Sequence, residues 1–194
     1  TGKGKTNITT VMLWDQIDKD YCGILVLDPH DEYYGRDALG LKDHPSKHRL
    51  AYYTPRNVPP GACTLKINIR CIKPSHYNGA AFWSDPQQQA MNAYYREFRK
   101  NWIEAIISDK KIGVMFNELT INVVKRRLLA MLGIEHINGK FYCNSIFDIV
   151  AGETTIHDIC KELESAKTVV IDTSSFSGSV EILSLIHISE PTRP

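Results

Sequence analysis

The chain contains 194 residues, of which 43% are hydrophobic and 23% charged, and its formal net charge at pH 7 is +1. These fractions are typical of a globular protein of one or two domains and exclude a disordered, collagen-like or coiled-coil chain. The charge balance excludes a uniformly basic nucleic-acid-binding protein, so contact with a nucleic acid requires a local patch. No apolar run approaches the roughly 20 residues of a membrane span, and no signal peptide is visible.

The five cysteines predict neither a disulfide framework nor a zinc site. Their number is odd, and no two of them are spaced as C-x-x-C. We therefore expect reduced, mostly buried thiols in a cytoplasmic protein without a membrane partner. The histidines predict no metal site either, because Pro45 separates His44 from His48 and keeps the two off one helical face.

Hydrophobic periodicity predicts a helix over residues 6–19 as the first element. Its apolar face consists of four residues with approximate helical spacing: Ile8, Val11, Met12 and Ile17. Residues 23–28 then form a short apolar run that Pro29 ends, which is typical of a buried parallel strand. A polar loop rich in turn-forming residues follows this strand.

Two further strands are predicted before residue 75, where the sequence changes from strand patterns to helical spacing. Residues 49–54 form one of them. Residues 65–70 alternate strictly between apolar and polar side chains, which predicts a half-exposed strand near a sheet edge. From about residue 75 to residue 152 apolar residues recur at helical spacing, so we expect a helical insert between sheet strands. The residues with this spacing are Met91, Tyr94, Tyr95, Phe98, Trp102, Ala105 and Ile106, then Ile121, Val124, Leu128, Met131 and Leu132, with Gly133 as a helix end.

A last helix and a last strand complete the pattern. Residues 155–165 are predicted to be helical, with Thr155 and Asp158 as a capping pair. Residues 168–172 have the apolar run of another buried strand. This alternation of strands and helices around an insert predicts an α/β fold with a mostly parallel sheet.

The first seven residues carry a motif with a known chemistry. They read TGKGKTN, which matches the end of a Walker A loop, G-x-x-x-x-G-K-[ST], and a helical pattern opens directly behind it. In such a loop backbone N–H groups point at phosphate oxygens. The sequence therefore predicts an ATP site in which Lys5 serves the β- and γ-phosphates and Thr6 the Mg²⁺. The residues expected to hold the nucleotide are Thr1, Gly2, Lys3, Gly4, Lys5, Thr6 and Asn7.

Two predicted strands end in an aspartate, Asp28 and Asp172, as the Walker B strand of such enzymes does. In that position the carboxylate holds the Mg²⁺ shell or its water. An aspartate after a strand also forms a turn or caps a helix. The sequence alone leaves open which of the two strands lies beside the Walker A loop.

Three segments, in this order, resemble the HerA family of hexameric DNA translocases: TGKGKTN, VLDPHDEYYG and VVIDTSSFSG. The resemblance spans residues 1–182 and implies a RecA-like P-loop ATPase core that uses ATP and Mg²⁺. It implies that Asp28 joins Lys5 at the active site and Thr6 at the metal. Glu32 becomes a further catalytic candidate, and Asp172 becomes a structural or sensor residue.

The same resemblance implies partners and a process. The protein is expected to be a homo-oligomer, in this family a hexamer, that moves double-stranded DNA. Its expected process is the resection of DNA ends, together with a NurA-type nuclease.

Three other functions stay open from the sequence. A conjugative-type coupling ATPase of the same superfamily would pump DNA at a membrane and would have a membrane segment nearby. A small-molecule kinase would be a monomer with a substrate pocket. The large helical insert makes the kinase interpretation less attractive. A nucleotide-gated assembly module without hydrolysis would lack an acidic Walker B strand.

Both ends of the sequence lead us to expect a partial domain. The chain begins with Thr1 inside the Walker A pattern, without the first glycine or the preceding strand. Residues 183–194, LSLIHISEPTRP, resemble a translated sequencing adapter and are set apart from the fold. We expect residues 1–182 to be a P-loop ATPase domain that lacks its first and later strands, and the fragment by itself to be inactive.

Two basic clusters occur on predicted helices of the insert. They are Arg96, Arg99 and Lys100, and Lys125, Arg126 and Arg127. Because the first cluster avoids the apolar stripe, we expect it to form a solvated face. Phosphate contacts and a subunit interface are the alternatives, and the sequence singles out no residue as a DNA contact.

Overall fold

The structure is a computed structural model that describes residues 3–79 and 81–175. Two of the predicted nucleotide-binding residues, Thr1 and Gly2, lie outside the described residues. The predicted adapter-derived segment, residues 183–194, also lies outside them.

The described residues divide into two compact units. The sheet unit comprises the described parts of Thr1–Leu65 and Thr154–Ser177, and the insert unit is Lys66–Glu153. The helices are α1 (Lys3–Gln16), α2 (Asp85–Phe98), α3 (Trp102–Ile107), α4 (Glu118–Leu132) and α5 (Thr155–Glu164). The strands are β1 (Ile24–Asp28), β2 (Leu50–Thr54), β3 (Cys63–Thr64), β4 (Ile67–Asn68), β5 (Ile134–Ile137), β6 (Lys140–Cys143), β7 (Phe147–Asp148) and β8 (Thr168–Asp172). Among these helices none is both long and apolar enough to span a membrane.

A parallel sheet forms the centre of the sheet unit. Within the described residues its strand order is β1-β8-β2-β3, and every neighbouring pair is parallel. β8 lies between β1 and β2 and is buried along its whole length. The register places Asp28 beside Asp172 at the carboxyl ends of β1 and β8. The predicted α/β fold with a mostly parallel sheet is confirmed.

Helices cover both faces of this sheet, as buried parallel strands require. One face packs with α1 in a cluster formed by Leu13, Ile17, Tyr34, Leu41, Tyr52 and Val170. Side chains alternate between the two faces along a strand. Tyr53 therefore lies on the face opposite to that of Tyr52 in β2. Tyr53 and Glu162 of α5 line one cleft, which places α5 on the second face.

The predicted apolar face of the first helix is wrong for three of its four residues, whereas Ile17 is buried as predicted. Ile8, Val11 and Met12 are 64%, 70% and 63% exposed, respectively. Leu13 and Ile17 are 8% and 1% exposed and form the contact with the sheet. Apolar residues lie on two sides of this segment. The side with fewer of them, Leu13 and Ile17 at the spacing i, i+4, packs against the sheet.

Two other predicted strands differ in detail from the structure. β1 is parallel to β8, but it is only partly buried, and Leu25 is 38% exposed. Residues 65–70 do not form one strand. The Asn68 side chain accepts a hydrogen bond from the Arg70 backbone N–H, and the chain turns there into a 3-10 helix at Ile69–Cys71. The strands predicted around β2 and β8 are confirmed.

The helix cap and the burial of the thiols also need correction. α5 is a helix as predicted, but its N-cap is Thr154 rather than Thr155, and the Thr154 side chain makes no cap hydrogen bond. The cysteines in the described residues are free, yet they are not mostly buried. Cys22 and Cys63 are exposed and the others are partly exposed, because Cys22 precedes β1 in an irregular segment and Cys63 lies in the short strand β3.

The insert unit confirms the predicted helical spacing. α2, α3 and α4 pack against one another, and Trp102 is fully buried and donates from Nε1 to the Ile72 carbonyl at 2.8 Å. Gly133 ends α4 with a left-handed backbone, φ 59°. The unit also contains strands that the periodicity did not predict, namely the antiparallel hairpin β5–β6 and β7. β4 lies within the strand predicted over residues 65–70 and pairs in parallel with β7.

Candidate functional site

The last turn of α1 lies near the amino edge of the sheet. Just after the helix, the Lys19 carbonyl accepts a hydrogen bond from Arg49 Nη2 at 2.7 Å, and the same nitrogen donates to the Ala166 carbonyl at 3.0 Å. Arg49 directly precedes β2 and Ala166 lies just before β8, so this end of α1 is at the amino edge of the sheet. A helix of 14 residues is about 21 Å long. A helix of this length is long enough to reach the opposite edge, where α/β sheets bind ligands.

The first turn of α1 has the properties of an anion-binding end. Lys5 is exposed, Thr6 is half-buried, and the turn contains no acidic residue, although the helix dipole would favour one there. A Cβ added at Gly4 would meet no described atom within 4 Å, and Gly4 does not have a positive φ. Packing within the described residues therefore does not require a glycine at this position. A ligand that approaches the backbone closely would require it.

Asp28 ends β1 at the carboxyl edge and is 1% exposed. Its Oδ1 accepts from the backbone N–H of His30 at 3.2 Å, and its Oδ2 accepts from that of Tyr33 at 2.9 Å. These bonds fold the loop after β1 back onto the strand, which is a turn-forming role. A carboxylate has about four acceptor positions, so each oxygen of Asp28 keeps one. None of the ion pairs within the described residues includes Asp28.

Asp172, the neighbour of Asp28 in register, has its acceptor positions filled. Its Oδ1 accepts from the Ser174 backbone N–H at 2.9 Å and from the Ser174 hydroxyl at 2.6 Å. Its Oδ2 accepts from Thr54 Oγ1 at 2.8 Å and lies 3.4 Å from Arg36 Nη2. Of the two buried carboxylates in the described residues, Asp172 is saturated and paired with a cation, whereas Asp28 has no cation partner and keeps unfilled acceptor positions.

Arg36, in the loop after β1, organises this edge of the sheet. Its Nε lies 2.5 Å from Asp31 Oδ2, and its Nη2 donates to Thr54 Oγ1 at 2.5 Å and to the Tyr52 hydroxyl at 2.9 Å. Tyr52 donates to Asp31 Oδ1 at 2.5 Å. Burial raises the pKa of Tyr52, and the hydrogen bond to Asp31 raises it further. The phenol therefore keeps its proton and remains a donor.

The predicted site residues fall into two groups in the structure. Lys3, Gly4, Lys5, Thr6 and Asn7 belong to the beginning of α1. Asp28 lies at the carboxyl edge, and Glu32 is exposed on the loop that follows it. No hydrogen bond or ion pair joins the two groups within the described residues.

The sequence analysis missed the polar network around Asp172. Thr54 carried a signal, because it is a polar residue at the carboxyl end of a predicted strand. Arg36 carried none, because Asp172 lies 136 residues away from it in the chain. Contacts at that separation leave no local pattern.

The oxygen atoms of Thr6 and Asp28 suit Mg²⁺ that arrives with a phosphate ligand. No group of three His, Cys, Asp or Glu side chains suited to a metal ion occurs in the described residues. Mg²⁺ does not need such a group, because it keeps several waters and binds through one or two protein oxygens plus substrate phosphates. The Thr6 hydroxyl makes no hydrogen bond within the described residues, and Asp28 offers free acceptor positions.

The two basic clusters of the insert unit differ from each other. Arg96, Arg99 and Lys100 are exposed, as predicted for a solvated face. In the second cluster, Arg127 packs within the unit instead. Its Cζ lies 4.1 Å from the centre of the Trp83 ring, a cation–π contact.

Comparison with known proteins adds one finding. A sequence model of a protein family, described as the central domain of the helicase HerA, matches residues 1–190. The matched range includes residues 183–190, the first part of the segment predicted to be adapter-derived. Neither the curated proteins nor the solved structures gave a significant match.

Proposed function

The chain belongs to the family of the HerA helicase central domain, and from this premise we propose that it is the ATP-hydrolysing core of a motor that moves along double-stranded DNA. The motor would act in the processing of DNA ends. Membership of this family fits ATP binding and hydrolysis in general. The duplex substrate and the directed movement are the proposal.

The proposed nucleotide site combines the first turn of α1 with the buried carboxylate of Asp28. The first turn of α1, with Lys5, Thr6 and an open approach at Gly4, would face the sheet edge at which Asp28 is buried without a cation. A positive helix end and an uncompensated carboxylate on the same edge suit a phosphate group with its metal ion. The saturated state of Asp172 supports Asp28, rather than its neighbour, as the acid of this site.

Five residues of the chain have a definite task in this proposal. Backbone N–H groups of Gly4 and Lys5 would bind phosphate oxygens, and the Lys5 ammonium would bind the β- and γ-phosphates. Thr6 would bind the metal directly, and Asp28 would hold the metal or one of its waters. Glu32, exposed on the loop, would orient water near the nucleotide. When bound, Mg²⁺ neutralises the charge that develops on the phosphates.

We further propose the partners that the family implies. The protein would assemble as a homo-oligomer, a hexamer, around the DNA and would work with a NurA-type nuclease in the cytoplasm. A closed ring around duplex DNA would let successive ATPases act on one substrate without release.

DNA-stimulated ATP hydrolysis by the full-length protein tests the motor. Turnover is measured with no DNA, with single-stranded DNA and with linear duplex, and movement is measured by displacement of a third strand from a triplex. We expect duplex to stimulate turnover, and displacement to require ATP. Lys5→Ala should lose both activities. Turnover that ignores duplex, without displacement, would rule out the translocase.

A further inference from the structure

Arg36 joins three segments at the carboxyl edge of the sheet. Its Nη2 donates to Thr54 at the end of β2 and lies 3.4 Å from Asp172 at the end of β8. Its Nε pairs with Asp31 in the loop after β1, and its Nη1 donates to the Asn57 carbonyl at 2.8 Å. All three guanidinium nitrogens are thus engaged within the chain. Arg36 therefore acts on the site through its neighbours and not by contact with a phosphate.

The loop that Arg36 fastens is held in one tight shape. Asp31 has a φ of 54°, in the left-handed region that residues with a Cβ disfavour. Gly35 and Gly40 cross so closely that a Cβ on Gly35 would lie 2.6 Å from the Gly40 Cα. The same loop supplies both backbone N–H groups that bind Asp28. A contact that fixes the loop therefore also fixes the Asp28 carboxylate.

We propose that Arg36 is a positioning residue of the nucleotide site, which neutralises Asp172 and anchors the loop after β1 so that Asp28 is the carboxylate left for the metal. This inference rests on the proposed function. Asp28 and Asp172 are neighbours in register on adjacent strands, which lie about 4.8 Å apart. With the guanidinium in place, one of these two buried charges is compensated. Without it, both carboxylates repel each other and compete for the same cation.

Arg49 provides a matched control within the same unit. It also ties separate segments together, through the carbonyls of Lys19 and Ala166, but it does so at the amino edge of the sheet. Loss of Arg49 should therefore weaken the unit without reaching the nucleotide site. A purely structural role for Arg36 would make the two arginines behave alike.

The experiment compares Arg36→Gln, Arg36→Lys, Arg49→Gln and Arg49→Lys in the full-length protein. The measurements are kcat and KM for ATP with Mg²⁺, per folded molecule, and the thermal midpoint. Arg36→Gln should lower kcat by at least about tenfold, because small misplacements of catalytic groups cost up to about 100-fold. KM should change by less than about threefold, since Lys5 and Thr6 still bind the phosphates.

The conservative variants complete the test. Arg36→Lys should give a kcat between those of Arg36→Gln and the wild type, because lysine keeps the charge and loses the planar fork. Both Arg49 variants should lower the thermal midpoint and keep kcat within about twofold of wild type. Equal kcat per folded molecule in Arg36→Lys and Arg49→Lys would overturn the proposal, also where Arg36→Gln does not fold. An active Lys5→Ala variant would instead overturn the proposed function.

Discussion

The sheet unit and the insert unit bury different kinds of side chain. The insert unit buries a mainly apolar core, with Trp102 at 0% exposure between its helices. The sheet unit buries Asp28 and Asp172 at one edge and leaves Val11 and Met12 of α1 in solvent. The helices of the insert unit turn most of their apolar residues inward, although Leu119 of α4 is 72% exposed. In the sheet unit the two buried carboxylates lie at the edge of the proposed site, as expected where function overrides packing.

The two units also differ in charge. The insert unit contains twelve lysines and arginines against eight acidic residues, a net charge of +4. The described residues of the sheet unit contain ten against twelve, a net charge of −2. The overall charge of +1 therefore conceals a positive unit and a negative one. The positive charge of the insert unit favours contact with polyanions.

Replacement of a tryptophan by alanine should lower the free energy of unfolding by very different amounts in the two units. Trp102→Ala removes a fully buried ring that also donates to Ile72, and should lower the free energy of unfolding by about 4 kcal/mol. Trp14→Ala removes a ring of α1 that is 36% exposed, and should cost about 1 kcal/mol. Denaturant unfolding of the full-length protein, followed by circular dichroism, measures both. Equal costs would show that the insert core is no tighter than the packing of α1.

The two buried aspartates of the sheet unit should separate stability from activity. Asp172→Asn breaks the pairing with Arg36 and leaves donors unpaired, so it should lower the free energy of unfolding by about 2 kcal/mol. Asp28→Asn loses one backbone hydrogen bond and no ion pair, and should cost about 1 kcal/mol. The order should reverse for ATP turnover, with Asp28→Asn the more damaging. Unfolding curves and steady-state rates on the same preparations measure both orders, and a shared order would count against Asp28 as the acid.

A smaller effect is expected from His76 in the insert unit. Burial lowers the pKa of His76, and the nearby charge of Lys73 lowers it further. The folded state thus prefers the neutral imidazole, and stability that is complete above the ordinary pKa of 6.5 is lost as the pH falls through the lowered value. Protonation also removes the Nδ1 acceptor of the Lys73 backbone N–H.

Thermal midpoints at pH 8 and pH 5.5 measure this dependence. His76→Asn keeps an acceptor near the position of Nδ1 and cannot titrate, so its midpoint should fall less on acidification than that of the wild type. His157→Asn, on exposed α5 surface, is the control and should follow the wild type. Identical pH profiles for all three proteins would exclude His76 as a source of acid sensitivity.

Local sequence patterns predicted the elements whose partners are close in the chain. α4 followed from its helical spacing and from Gly133, and β2 and β8 followed from their apolar runs. The face of α1 could not be predicted, because apolar residues lie on two sides of it and only the sheet selects Leu13 and Ile17. The strand predicted over residues 65–70 is reduced to β4, because the Asn68 side chain accepts a hydrogen bond from the Arg70 backbone N–H where the chain turns.

The residues of the candidate site were predictable from the sequence, but the roles of its two aspartates were not. The motif identified Lys5 and Thr6, and the ends of two strands identified Asp28 and Asp172. The sequence could not rank these two aspartates, because the difference between them is the set of hydrogen bonds made by Arg36 and Thr54. Those bonds exist only after three distant segments have come together.

The role of Lys5 is the feature on which the nucleotide site depends. The test compares ATP turnover and equilibrium binding of ATP for wild type, Lys5→Ala and the control Lys19→Ala in the full-length protein, with circular dichroism to verify the fold. Lys5 supplies charge to the phosphates, so its loss should reduce turnover at least about 100-fold and weaken binding. Lys19 lies at the other end of α1 and should be neutral. Turnover by a folded Lys5→Ala variant within about twofold of wild type would refute the nucleotide site proposed for this turn of α1.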